Sequence, residues 1–291
     1  MSHRLFALLA LASSAAFAIA PTATTSAATG VAATSALLNG SGNPGSELTT
    51  GWFRLSTTNP GACDDVFGTR VPSTGGTSLG AGAVNAPYSV SATGLLPGNT
   101  YFVCAITNNA SGTAFGALLT FTTPALIPSV ATAAATSVTS SAAVFNGSAT
   151  PNGSAANGFF RYSTISPGSC TNSFGTIAGG TALGNGNGSV PYTQLVSGLL
   201  AGTTYYYCAI STNGIGTGLG NLLSFTTLVA VPAVVTTAAS SITGTTATLN
   251  GNVNPNGAST TAWFRLDSSD PGSCSDVFGT RVPLRDRKSV V

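Results

Sequence analysis

Five cysteines are the residues of this 291-residue chain best suited to covalent chemistry: Cys63, Cys104, Cys170, Cys208 and Cys274. In an exported chain, five thiols imply disulfides with one left over. Self-comparison selects the pairs. Pro60-Gly61-Ala62-Cys63 returns as Pro167-Gly168-Ser169-Cys170 and as Pro271-Gly272-Ser273-Cys274, while Cys104 and Cys208 each open a Cys-Ala-Ile segment. Cys63 is therefore expected to bond Cys104, and Cys170 to bond Cys208, each inside its own repeat. Cys274 stays unpaired. The expected role is structural rather than redox.

The remaining candidates for chemistry are few. The one histidine, His3, falls in the leader, so Ser/His/Asp, Cys/His and His-metal arrangements are excluded from the mature chain. Asp64-Asp65 is the one adjacent acid pair between leader and tail. It reads either as a calcium ligand pair or half of a carboxylate catalyst, or as a polar loop tip. Its equivalents are Thr171-Asn172 and Ser275-Asp276, so the pair does not persist. An arginine recurs three times, as Arg54, Arg161 and Arg265, each two residues after an aromatic: Trp52, Phe159 and Trp263. Trp52 with Arg54 reads either as a ligand contact for sugars or anions, or as framework. In the second case Arg54 covers its sheet with its stem and keeps its head in water, and Trp52 is a lid under a loop. Asn39, Asn109, Asn146 and Asn187 begin Asn-x-Ser sequons, which matter only in a eukaryotic secretory pathway. Stretches such as Gly75-Gly76 and Gly184 to Gly188 lack the lysine and the strand-loop-helix setting of a phosphate-binding loop and are expected as surface loops. No catalytic group, cofactor site or metal site is expected, and the chain is not read as an enzyme.

Charge removes another class. The formal net charge is +2, but between leader and tail five arginines (54, 70, 161, 265, 281) face six acids (47, 64, 65, 267, 270, 276), which gives 5 − 6 = −1. Nucleic-acid binding needs clustered cations, and none cluster here.

The elements that must position these residues are short strands. Charged residues make up 5% and hydrophobic ones 43%, enough for cores, and β-branched or aromatic runs alternate with Gly/Pro/Asn turn signals. The organisation is a repeat. Ala36-Leu37-Leu38-Asn39-Gly40 recurs as Ala143-Val144-Phe145-Asn146-Gly147 and Ala247-Thr248-Leu249-Asn250-Gly251. Trp52-Phe53-Arg54-Leu55 recurs as Phe159-Phe160-Arg161-Tyr162 and Trp263-Phe264-Arg265-Leu266. Leu95-Leu96-Pro97-Gly98-Asn99-Thr100-Tyr101 returns as Leu199-Leu200-Ala201-Gly202-Thr203-Thr204-Tyr205, and the copies close on Phe121-Thr122-Thr123 and Phe225-Thr226-Thr227. A unit of about a hundred residues is long enough to close its own core.

This order of motifs resembles bacterial fibronectin type III repeats over nearly everything after the leader. The resemblance implies an all-β fold of tandem immunoglobulin-like (fibronectin type III-like) sandwiches, in which Tyr101 and Tyr205 form tyrosine corners. The paired cysteines and the Gly-rich stretch after each first cysteine depart from the pattern. Each tyrosine precedes its cysteine by three residues. Alternation along a strand then places a core-facing tyrosine opposite an outward-facing cysteine. The bond is thus expected to hold the loop after the third strand against the outer face of the sheet, over Phe102 and Ile106. By the same alternation Phe53 and Leu55 share one face, Trp52 and Arg54 the other.

The expected domains are a signal peptide at 1–18, a first repeat at 19–123, a second at 124–227, a truncated third at 228–283 and a non-native tail at 284–291. Arg4, the apolar run Leu5 to Ala16 and Ala16-Phe17-Ala18 carry the export signal; the alternative is an N-terminal anchor. No later stretch reaches membrane-spanning length. Asp286-Arg287-Lys288-Ser289-Val290-Val291 resembles a translated sequencing adapter; the alternative is a genuine short basic tail. Lacking a facing sheet for Trp263 and Phe264, residues after about 238 are expected to be loosely ordered or to associate between chains. The expected function is a non-catalytic, secreted or cell-surface spacer with structural or adhesive duty, in contact with an extracellular protein or glycan. The alternative is an accessory module, carbohydrate-directed, of a larger exported enzyme.

Overall fold

Period-two patterning dominates the chain because apolar side chains that alternate with small polar ones can bury one face of a strand only. The computed structural model describes residues 19–283. The leader at 1–18 and the tail at 284–291 lie outside the described residues, and so do the expectations made for them. Every regular element among the described residues is a strand.

The first repeat contains β1 Thr24–Thr29, β2 Ser35–Gly42, β3 Thr49–Ser56, β4 Thr69–Val71, β5 Thr77–Gly80, β6 Ala86–Thr93, β7 Thr100–Asn109, β8 Gly112–Phe115 and β9 Leu119–Thr122. They form two antiparallel sheets. One runs β1-β2-β6; the other runs β4-β3-β7-β8, with β5 also on β3 and β9 also on β7. The second repeat contains β10 Ser129–Thr136, β11 Ala142–Thr150, β12 Ala156–Ser163, β13 Thr176–Gly184, β14 Val190–Ser197, β15 Thr204–Thr212, β16 Thr217–Leu219 and β17 Leu223–Thr226. Its sheets, β10-β11-β14 and β13-β12-β15-β16 with β17 on β15, repeat the same order. Both are fibronectin type III-like sandwiches: three strands face four or more, and consecutive strands cross between sheets. The chain divides into two compact units, one built mainly on residues up to Ile127 and the other from Pro128 onward. The Gly-rich stretch after each first cysteine supplies the edge strands β4, β5 and β13.

Each sandwich closes on residues from both sheets. In the first, Ala36 and Leu38 of β2 and Tyr88 and Ala92 of β6 meet Phe53, Leu55, Tyr101, Val103 and Ala105. The second substitutes aromatics at three of these places: Phe145 for Leu38, Tyr162 for Leu55 and Tyr207 for Val103. The added volume is absorbed by mutual stacking, with Phe145 and Tyr207 centroids 4.6 Å apart.

A tyrosine from the smaller sheet crosses each core. The Tyr88 hydroxyl donates to the Ile106 carbonyl at 3.0 Å, and Tyr192 does the same to Ile210 at 3.0 Å. Burial pushes both phenols well above their ordinary range, so they remain neutral donors. The ring needs a floor without a side chain. A Cβ on Gly51 would lie 2.8 Å from the Tyr88 ring, and one on Gly158 would lie 3.0 Å from Tyr192.

The third repeat has β18 Ala233–Ser240, β19 Thr248–Asn254, β20 Trp263–Leu266 and β21 Thr280–Pro283. They pair as two separate two-stranded ladders, β18-β19 and β20-β21. The backbone runs as strands through Pro283. Each ladder joins strands that are close together in the chain. Burial is what is missing: Val234, Val235, Val253 and Leu266 stay exposed.

Candidate functional site

The recurrent chemistry collects on the outer face of the larger sheet. Cys63 bonds Cys104 across a sequence separation of 41, and Cys170 bonds Cys208 across 38. Cys274 is free and exposed. Cys104 lies on β7 opposite Arg54 of β3, and Cys208 lies on β15 opposite Arg161 of β12. The bond thus ties the loop between β3 and β4 to the neighbouring strand. Under it lies a second, smaller core of Trp52, Cys104 and Ile106, flanked by Cys63, Phe67 and Leu118. Trp52 is therefore the lid packed beneath the loop.

Trp52 and Arg54, which the sequence leaves open as either a ligand contact or framework, are bonded within the chain. The Trp52 Nε1 donates to Asp65 Oδ1 at 2.8 Å, and Arg54 Nε donates to the same oxygen at 3.0 Å. Arg54 also donates to the backbone carbonyls of Asp65 and Phe67. Across the strand pair, Arg70 sits opposite Arg54. Like charges so placed repel. The conflict is relieved because Arg70 turns its guanidinium over the Trp52 ring, 4.5 Å from the centroid. The Arg54 head is thus held by the loop, a correction to the reading that leaves it wet.

Asp65 is correspondingly more than a polar loop tip. The two acids divide the work. Asp64 accepts from the amides of Val66 and Phe67, both at 2.9 Å, and shapes the turn. Those two bonds, Val66 first, hold its carboxyl below the usual range. A depressed folded pKa means that this contribution is present above the unfolded value and fades as pH falls through the folded one. Asp65 joins the turn to the sheet.

The three repeats show which residues travel together. The third keeps the set: Trp263 Nε1 donates to Asp276 at 2.9 Å, Arg265 pairs with Asp276 at 3.4 Å, and Arg281 lies 4.1 Å over the Trp263 ring. The second changes every member except the arginine, with Phe159 for Trp52, Asn172 for Asp65 and Ile177 for Arg70. There Arg161 donates to the carbonyls of Phe174 and Gly175 at 2.8 and 3.2 Å, and its buried Nε has no partner among the described residues. The shared feature is an arginine bonded to loop carbonyls; the carboxylate accompanies tryptophan. Sequence comparison contains this covariation, but the register Arg54–Arg70 is what gives it meaning.

A glycine sets the bend that returns the loop to the sheet. Gly68, Gly175 and Gly279 have φ of +52°, +51° and +51°, and a Cβ at each would lie 2.1 to 2.3 Å from a carbonyl of the preceding strand. Only glycine fits.

The tyrosine corners lie at the sheet's end. Tyr101 accepts from the Leu96 amide at 2.7 Å, and Tyr205 from the Leu200 amide at 2.9 Å. The closing Thr-Thr completes them: Thr123 donates to the Leu96 carbonyl at 2.6 Å and Thr227 to Leu200 at 2.6 Å. The sequon nitrogens of Asn39, Asn109 and Asn146 are likewise taken up by backbone carbonyls.

Replacing Asp65 by alanine leaves the Trp52 indole and the Arg54 head without their side-chain acceptor. The side chains are partly open, 17% for Arg54 and 41% for Asp65, so the loss is set at about 1–2 kcal/mol rather than a buried-pair value. Urea unfolding followed by Trp52 fluorescence in a Trp263→Phe background measures it. A midpoint unchanged from wild type would show that the disulfide alone holds the loop.

No protein-family model and no curated protein matches the chain. Among solved structures it is similar to the chicken CNTN1 FN1–FN3 domains, at 11% sequence identity and a TM-score of 0.39, over 81% of this chain and 85% of that one. The fold class stands on strand order and register: a tandem of fibronectin type III-like β-sandwiches. Among the described residues no helix is long and apolar enough to cross a membrane.

Proposed function

We propose that the chain is a non-catalytic extracellular spacer, each complete repeat a self-closed sandwich with its outer loop covalently fastened. One observation carries this reading. The residues best suited to bind something, the tryptophan, arginines and aspartate of the outer face, are consumed in holding the loop down, and the same covalent fastening is built twice. A unit whose polar groups bond inward is suited to setting distance and resisting extension. Disulfides fit an oxidising, extracytoplasmic setting, and weak contacts with a protein or glycan would fall to the loops.

Single-molecule stretching tests the proposal. Each bond shields its loop from extension, so unfolding in reductant should lengthen the first sandwich's release by about 140 Å and the second's by about 130 Å, at roughly 3.5 Å per residue. Two discrete releases are expected under either condition. Featureless extension, or releases that do not lengthen in reductant, would count against a fastened spacer.

A further inference from the structure

The recurrent arginine of the outer face meets an aspartate in two repeats and none in the other. In the first, Arg54 Nε donates to Asp65 Oδ1 at 3.0 Å, and Nη2 donates to the carbonyl of the same residue. In the third, Arg265 Nε and Nη2 both lie 3.4 Å from Asp276 Oδ1. The remaining nitrogen, Nη1, goes to loop carbonyls in each. Arg161 keeps only that last half. Both of its bonds leave from Nη1, to Phe174 and Gly175, so the edge formed by Nε and Nη2 has no acceptor among the described residues, and Nε is buried. Asn172, at the place of Asp65 and Asp276, is a neutral amide and exposed.

Charge sharpens the mismatch. From 124 to 227 the sequence holds no Asp, Glu, Lys or His, and Arg161 is its one Arg. A buried guanidinium nitrogen without an acceptor costs free energy. A counter-charge can come only from outside the repeat. The surroundings select among anions. Phe159, two residues earlier on β12, and Ile177, directly opposite on β13, share the face of Arg161. Ile177 is 54% exposed. A lone cation beside apolar side chains suits one carboxylate on an apolar body; a polyanion needs clustered cations.

We propose that the Nε–Nη2 edge of Arg161 is a binding site for an external monocarboxylate with an apolar body. Its carboxylate takes the position that Asp65 and Asp276 hold in the other repeats, and its body lies on Phe159 and Ile177. The site goes beyond the spacer reading and does not rest on it.

Phenylacetate is the probe, added to the whole isotopically labelled chain with both disulfides intact. The readout is the Nε–Hε nuclear magnetic resonance signal of Arg161, assigned by its loss in Arg161→Lys. Phenylacetate is expected to shift the signal saturably. Its affinity should be at least roughly tenfold above that of acetate, which lacks the body, and of phenylacetamide, which lacks the charge. Asn172→Asp supplies the carboxylate from within, as the first and third repeats do. It is expected to weaken phenylacetate binding at least roughly tenfold. Phenylacetamide or inorganic sulfate that binds as tightly as phenylacetate would overturn the assignment. So would an Asn172→Asp chain that binds phenylacetate as the wild type does.

Discussion

Opening the Cys63–Cys104 bond, by the double change Cys63→Ser and Cys104→Ala, is expected to cost the first sandwich about 4 kcal/mol. Closing a loop with a sequence separation of 41 removes that much chain entropy from the unfolded state in the loop-closure account. Alanine is the choice at 104 because that side chain is fully buried, where a serine hydroxyl would add a desolvation cost of its own. The native state has something to lose as well, since Trp52 and Ile106 are covered by the loop that the bond retains. Domains usually hold only about 5–15 kcal/mol in all, so the loss is a large share. Urea unfolding, read from Trp52 in the Trp263→Phe background, should show the midpoint fall sharply. The second sandwich, with its own bond, should keep its transition. A loss below about 1 kcal/mol would mean that Asp65 and Arg54 hold the loop without covalent help. Combining Asp65→Ala with the opened bond then decides whether the two fastenings act together: losses that exceed their sum mark coupling.

Phe145→Ala is expected to cost the second sandwich about 3–5 kcal/mol. Phe145 is fully buried and central. Its ring stacks on Tyr207 at 4.6 Å and meets Phe160, Tyr162 and Phe225 edge-on at 5.8, 5.5 and 5.7 Å. Four rings cannot all move into the vacated volume, because each is fixed elsewhere; Tyr207, for one, donates to the Ala133 carbonyl at 2.7 Å. The cavity therefore persists and the full penalty applies. For a domain of this size the melting temperature should fall by ten degrees or more, at about 4–8 °C per kcal/mol. The first sandwich gives the comparison. Its Leu38, Leu55 and Val103 fill the same place without aromatics, so Phe145→Leu alone leaves a void, while Phe145→Leu with Tyr162→Leu and Tyr207→Val should recover part of the loss. A single alanine substitution that lowers stability by less than about 1 kcal/mol would show that the aromatic cluster collapses freely.

Legible in the residues were the repeat, the all-β class, the cysteine pairs and the sides on which Phe53 and Trp52 face. These follow from local rules: strands have period two, and three copies of one pattern report on each other. The tyrosine corner was implied by the resemblance to fibronectin type III repeats, and the bond that makes it joins Leu96 and Tyr101, five residues apart. Tertiary structure alone decided what long-range pairing controls. Asp65 looked like a loop tip because its partners Trp52 and Arg54 lie 13 and 11 residues earlier on a different element. The repeated Pro87-Tyr88 and Pro191-Tyr192 were visible as residues, but their span across the core to Ile106 and Ile210 depends on two sheets meeting. The third repeat shows the division most plainly. Its two ladders join strands close together in the chain, whereas the counterparts of Trp263 and Leu266, Trp52 and Leu55, are buried where the distant β7 pairs with β3.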